Sequence, residues 1–256
     1  MLNQVPYKVN WKYIELRPQK FPGSNVLSEA RWPASLSIKD VPELRGVITD
    51  WGGVLTSPIP EAMRSWLDAD GIDHDSYTAV IRPWLRGAYT PDGEGNPVHA
   101  LERGECTPEE FERSLAARIV RLDGGQVPAE GLLARMFAAA LPSAAMHDLL
   151  RQLRRAGVRT CLLSNSWGAV DYPREEFPVL FDAVVISAEV GMRKPEETIF
   201  RHAAGLIGLP PEECVFIDDI QANVSAAEAV GMTGVLHTEP GATAAHLAAL
   251  LGIPLG

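Results

Sequence analysis

The chemistry-bearing residues of this chain stand at the ends of short apolar runs. Gly46-Val47-Ile48-Thr49 leads into Asp50 and then Trp51-Gly52-Gly53, Leu162-Leu163 leads into Ser164-Asn165, and Val215-Phe216-Ile217 leads into Asp218-Asp219. Lys194 lies within Gly191-Met192-Arg193-Lys194-Pro195. A carboxylate followed by glycines can be presented as a nucleophile, because the backbone bends sharply or meets a ligand closely just past it. Read alone, the Asp50 segment fits a strand and a carboxylate-capped turn equally well. The other run ends decide between them. Three carboxylates form the hard-oxygen environment that suits Mg²⁺, an ion that keeps several waters and usually also binds substrate phosphate. Ser164 and the backbone amides after it can donate to phosphate oxygens, and Lys194 supplies a point charge for the same anion. Together these residues describe a phosphate site with a nucleophile in it.

Such residues converge only if the runs are neighbouring strands. Apolar runs over 47–48, 158–163, 183–186, 215–217 and 234–236 read as strands, separated by helices over 144–156, 196–207 and 221–230. That alternation predicts βαβ units on a parallel sheet, where ligands bind outside the carboxyl ends of the strands. Residues 60–141 have a different period. Helices are predicted over 61–67 and 76–85, from the capping box Thr107-Pro108-Glu109-Glu110 through Ile119, and from Pro128 through Phe137, with a loop over 89–97 between them. The prediction is an α/β fold: a doubly wound, Rossmann-like parallel sheet core over 45–59 and 142–256, with a small all-helical cap domain over 60–141. An N-terminal extension over 1–44 precedes it. This extension is locally basic and aromatic-rich, with an edge strand expected over 11–16, and it is a candidate contact to a second copy of the chain.

Composition excludes several function classes. The 256 residues carry 33 acidic and 23 basic side chains, a net charge of -10, which argues against a partner held through a nucleic-acid backbone. Cys106, Cys161 and Cys214 are too few and too widely spaced for a disulfide framework or a CxxC metal site, so a cytoplasmic setting is expected. No run approaches the roughly 18 apolar residues of a membrane span. The six histidines show no zinc-binding spacing, and Gly93-Glu94-Gly95 lacks the context of a nucleotide loop. Trp51 and Trp167, beside the nucleophile and the phosphate loop, are candidates for the substrate pocket. Glu61, Arg64, Trp84 and Arg86 are weaker candidates from the cap.

The ordered set Asp50-x-Gly-Gly-Val-Leu, Leu162-Leu163-Ser164-Asn165, Lys194-Pro195 and Val215-Phe216-Ile217-Asp218-Asp219-Ile220-x-Ala-Asn223 resembles the haloacid-dehalogenase-like (HAD) superfamily, with residues 60–141 in place of its C1 cap. Within it, the chain is most similar to the phosphatase domain of soluble epoxide hydrolases and related bacterial phosphatases. The resemblance implies that Asp50 attacks phosphorus to form an aspartyl-phosphate on a small phosphorylated substrate, that Mg²⁺ sits between the Asp50 carboxylate, the Gly52 carbonyl and Asp219, and that Ser164, Asn165 and Lys194 hold the phosphate oxygens. Asp218 is expected to orient metal-bound water or pair with Lys194, and Asn223 to bond locally at the start of its helix. One position departs from the pattern. Phosphatases of the family usually carry a second aspartate two residues after the nucleophile, and this chain has Gly52. General acid-base help is worth about 10²–10⁴-fold, so its loss weakens turnover without removing nucleophile, metal or phosphate cradle. The alternatives are a metal-independent haloacid dehalogenase, which the Asp218-Asp219 pair disfavours, a phosphomutase, and an impaired binding or regulatory protein.

Overall fold

The computed structural model describes residues 42–88, 95–168 and 172–255. The predicted extension, its edge strand and its candidate contact to a second copy fall outside these residues up to position 41, as do residues 89–94 of the predicted loop. Five parallel strands form one sheet in the order β3-β2-β1-β4-β5: β1 Gly46–Thr49, β2 Arg159–Ser164, β3 Ala183–Ile186, β4 Cys214–Asp218 and β5 Thr233–Leu236. Alternate residues of each strand serve opposite faces. Val47, Leu162, Val215 and Ile217 pack into one cluster, while Ile48, Cys161, Leu163 and Phe216 pack into the other. With both faces covered, the strands read as unbroken apolar runs, which is how they stand out in the sequence.

Between β1 and β2 the chain runs through α1 Ile59–Ala69, α2 His74–Ala88, α3 Pro97–Glu102, α4 Pro108–Ala116, α5 Leu132–Phe137 and α6 Ala144–Arg155. The first five surround their own apolar cluster, built on Trp66, Ile72, Phe111, Leu115, Leu132 and Leu133, whereas α6 packs on the sheet. An antiparallel bridge between Thr56 and Pro142 ties the two ends of this helical insert together. The rest of the chain adds α7 Phe177–Leu180, α8 Ser187–Val190, α9 Glu197–Leu206, α10 Gln221–Ala229 and α11 Pro240–Leu251. No helix among the described residues is long and apolar enough to cross a membrane.

The predicted capping box at α4 is present: Thr107 Oγ1 accepts from the Glu110 amide at 3.2 Å and Glu110 Oε2 from the Thr107 amide at 2.9 Å. The helix expected from Pro128 starts later, at Leu132. The buried Glu112 carboxylate accepts from the Gly131 and Leu133 amides at 3.1 and 2.9 Å, so the helix begins where a side chain from α4 caps it. Gly131 enters that cap with φ of 66°, a backbone conformation suited to glycine. The Arg135 guanidinium bonds the Pro128 and Glu130 carbonyls and holds the preceding stretch out of the helix.

Candidate active site

The ends of β1, β2 and β4 and the loop after α8 meet at one point, as the parallel topology requires. At its centre Lys194, 1% exposed, lies between two carboxylates: Nζ is 2.8 Å from Asp50 Oδ1 and 2.7 Å from Asp218 Oδ2. The Trp51 amide donates to the same Asp50 Oδ1 at 2.7 Å. The nucleophile candidate is thus held through one oxygen, and among the described residues Oδ2 has no hydrogen bond.

Asp218, fully buried, is saturated by donors. Its Oδ1 accepts from the Ile220 amide at 2.8 Å, its Oδ2 from Lys194, and Asn223 Nδ2 bonds both oxygens at 3.1 Å. Of the two alternatives for Asp218, the structure displays the Lys194 pairing, and Asn223 makes the local bond expected of it. Asp219 turns the other way, toward the turn after Asp50. Gly53 there has φ of 76°, and a Cβ on it would lie 2.3 Å from Asp219 Oδ2. Glycine is required at 53 both by conformation and by this close approach. Gly52 is different: no left-handed φ constrains it, and a Cβ would meet only Ile59 at an ordinary 3.5 Å.

Oxygens of Asp50, Asp218 and Asp219 lie within 4.8 Å of one another. Burial pushes the Asp50 carboxyl up to about 7 despite Lys194, with Asp218 and Asp219 adding to the rise. Asp219 is pushed up to about 6 by burial and then by Asp218. The Lys194 ammonium is held above its ordinary range by Asp218 and Asp50, which outweigh its own burial. A single lysine leaves this acidic cluster short of positive charge. Its all-oxygen donor set, with the buried and unpartnered Asn223 Oδ1 alongside, fits a hard divalent cation.

On the β2 side, Ser164 Oγ lies 2.9 Å from the Tyr172 hydroxyl. The Asn165 side chain is engaged with backbone: Oδ1 accepts from the Lys194 amide at 2.8 Å and Nδ2 donates to the Lys194 carbonyl at 3.0 Å. Its amide group therefore fixes the lysine loop and is not turned to the cavity as a donor for phosphate. Trp51 is buried against Tyr172, with ring centroids 5.5 Å apart, and against Phe177 at 6.3 Å. Trp167 packs between Phe111 and Phe137 of the insert at 5.6 and 5.8 Å. Both tryptophans line a cavity of about 870 Å³ that opens above Asp50. Of the four weaker cap candidates only Arg64 lines it. Trp84 packs against Phe111 in the insert, and Glu61 is exposed.

Two features escaped the sequence reading. Tyr172, the partner of Ser164, stands in a stretch of sequence with no periodic pattern, and burial pushes its hydroxyl up to about 12. Glu102 of α3 and Arg193, next to Lys194, form a buried ion pair at 2.5 Å, with Trp167 Nε1 donating to the same carboxylate at 3.3 Å. Arg193 was visible in the lysine phrase, but its partner lies 91 residues away.

The family model for haloacid dehalogenase-like hydrolases matches residues 44–231, and the chain belongs to that family of hydrolases. It is 33% identical over 155 residues to a sesquiterpene phosphatase of Aspergillus oryzae, covering 59% of this chain and 78% of that protein. It is 27% identical over 213 residues to bifunctional epoxide hydrolase 2 of Mus musculus, covering 75% of this chain, but the chain spans only 36% of that longer protein. A HAD family enzyme of Bacteroides thetaiotaomicron, solved in complex with magnesium and inorganic phosphate, shares the fold with a TM-score of 0.53 at 22% identity, over 76% of this chain and 94% of that one.

Proposed function

We propose that the protein is a Mg²⁺-dependent phosphatase that cleaves a small phosphate monoester through an aspartyl-phosphate on Asp50. The observation that carries this reading is the Asp50 carboxylate, held by Lys194 and the Trp51 amide through one oxygen, beneath a large cavity and within 4.8 Å of two further carboxylates. The phosphatase relative and the fold neighbour solved with magnesium and phosphate support it.

In this reading Asp50 Oδ2 attacks phosphorus in line, and the bond between phosphorus and the ester oxygen breaks. The departing oxygen takes its proton from water, since Gly52 has none to give. Water then attacks phosphorus, the bond to Oδ2 breaks, and the Asp50 carboxylate is restored. Ser164 Oγ, braced by Tyr172, and the Asn165 backbone amide donate to the phosphate oxygens, while Lys194 faces the same charge and keeps Asp50 in place. Asp50, Asp219 and the Gly52 carbonyl would hold Mg²⁺, which supplies the charge neutralisation that lets a carboxylate approach a phosphate. Asp218 acts at one remove, by fixing Lys194. Residues 60–141 serve as the cap that covers the substrate, and the three free cysteines fit a cytoplasmic setting.

The test is phosphate release from acyl, alkyl, sugar and nucleotide phosphates with Mg²⁺ and with chelator, beside Asp50→Asn. Release in the native protein that disappears in both controls is expected. Release that survives the substitution or the chelator contradicts the proposal.

A further inference from the structure

We infer, resting on the phosphatase reading above, that Glu102 of the insert is a positioning residue for Lys194, which it holds through Arg193. Lys194 stands in the stretch 191–196 between α8 and α9, where no helix or strand fixes the backbone. Asn165, after β2, anchors that stretch by bonding the Lys194 amide and carbonyl. Two further anchors come from the insert. The Glu102 carboxylate pairs with Arg193 Nε at 2.5 Å, and Arg103 pairs with Glu196. Gly104 follows them with φ of 71°, so close to the core that a Cβ on it would lie 2.8 Å from the Ala188 carbonyl oxygen. The insert thus meets the chain just before the lysine loop, within it and at its end.

The two anchors from the insert differ in weight. Glu102 and Arg193 are 5% and 2% exposed, and Glu102 is the one ion partner of Arg193 among the described residues. Such a pair is directional and costly to break, because each partner left alone is a stranded charge. The side chains of Arg103 and Glu196 are 28% and 33% exposed, and an ion pair in contact with water is worth little. Lys194 cannot rely on its own salt bridges during turnover. At rest Nζ is held by Asp50 and Asp218, but a phosphoryl group on Asp50 changes the charge that Nζ meets there. The place of Nζ is then set by its backbone, and the backbone is fixed through Asn165 and Arg193. A misplacement of about 1 Å in such a group costs on the order of 10²-fold in rate. The insert therefore completes the floor of the site as well as covering it.

Acetyl phosphate separates this role from substrate selection, because its small acyl group leaves most of a cavity of about 870 Å³ unfilled. The native protein is compared with Glu102→Ala, Glu102→Gln and the double variant Glu102→Leu with Arg193→Met. Each is assayed for kcat and KM on acetyl phosphate with Mg²⁺, and for backbone hydrogen exchange resolved by peptide. Glu102→Ala is expected to lower kcat about 10²-fold and to leave KM within about threefold of native. Glu102→Gln keeps an oxygen that accepts from Arg193, so its kcat should lie within about tenfold of native. The double variant replaces the buried pair by apolar side chains of similar volume. Its denaturant midpoint should match or exceed that of the native protein, while kcat stays at least about tenfold down, and it serves should Glu102→Ala not fold. In Glu102→Ala and the double variant, exchange should quicken in peptides over 191–196 by more than in those over β1 and β4. A kcat that recovers with stability in the double variant, a loss that sits in KM alone, or exchange that rises equally across the fold overturns the inference. If the native protein turns over no ester, the phosphatase reading fails, and exchange quickened over 191–196 alone still supports the anchoring of Lys194 by Glu102.

Discussion

The floor and the walls of the cavity follow opposite designs. On the floor almost every polar atom is paired and the charges are packed together. Lys194 serves two carboxylates, Asp218 accepts from three groups, and Asn165 clamps the lysine loop from both sides. The walls are mostly apolar: Tyr77 bonds Met63 and Trp167 bonds Glu102, while Arg64, His74 and Thr78 line the cavity as exposed residues. Preorganised charge suits a reaction that always involves the same phosphoryl group, whereas an apolar wall sorts ligands by volume. The Glu102–Arg193 pair joins the two, since one partner comes from the insert and the other precedes Lys194.

The sharpest way to break this contrast is to remove the floor's one central cation. Lys194→Met leaves Asp50 and Asp218 buried without their counter-charge, and a loss of about 3–5 kcal/mol in denaturant unfolding is expected. Phosphate release should fall on the order of 10³-fold or more. Glu102→Ala probes the joint instead. It strands the buried Arg193 guanidinium, so a similar loss of stability is expected, while the Asp50–Lys194 contact keeps all its own partners.

Gly52→Asp sharpens the comparison in the other direction. Since a side chain there meets only Ile59 at an ordinary distance, the variant should fold, and it adds a proton donor beside the nucleophile. Hydrolysis of alkyl phosphates, whose leaving oxygen needs a proton, should rise by about 10²-fold in kcat, and that of acetyl phosphate should change little. An equal change for both esters would show that protonation is not what the chain lacks.

The smallest effect concerns pH. Asp50 at about 7 and Asp219 at about 6 both stand above their ordinary 3.8, so the folded protein binds these protons more tightly than the unfolded chain does. Their contribution to stability is present at low pH and is lost as pH rises through about 6 to 7. In chelator, the melting temperature should therefore decline between about pH 4 and 7. Added Mg²⁺, which competes with the same protons, should raise it by an increment that grows over the same interval. An increment independent of pH would show that the ion meets other groups.

The floor was largely legible in the sequence and the walls were not. Strands buried on both faces leave continuous apolar runs, so β3 is read residue for residue and Asp50, Ser164 and Asp218 fall at their predicted strand ends. In a parallel sheet those ends must be neighbours, which carries the inference from order to proximity. No such rule joins Glu102 to Arg193 or Tyr172 to Ser164, because each contact depends on how loops and the insert pack. The start of α5 is set by Glu112 from another helix, and no local signal at Pro128 could reveal it. The C-terminal α11, rich in alanine and without a polar face, carries no helical period to read. Gly52 and Gly53 look alike in the sequence, yet only Gly53 is demanded by the backbone.

The central claim is that Asp50 is the nucleophile, and trapping its covalent intermediate tests this most directly. The native protein is mixed with acetyl phosphate and Mg²⁺, quenched in acid within the first turnover, and its peptides are mapped by mass. The account predicts one added phosphoryl group on the peptide that contains Asp50, absent with chelator and absent in Asp50→Asn. Phosphate release with no label on Asp50, or label on another residue, would contradict it.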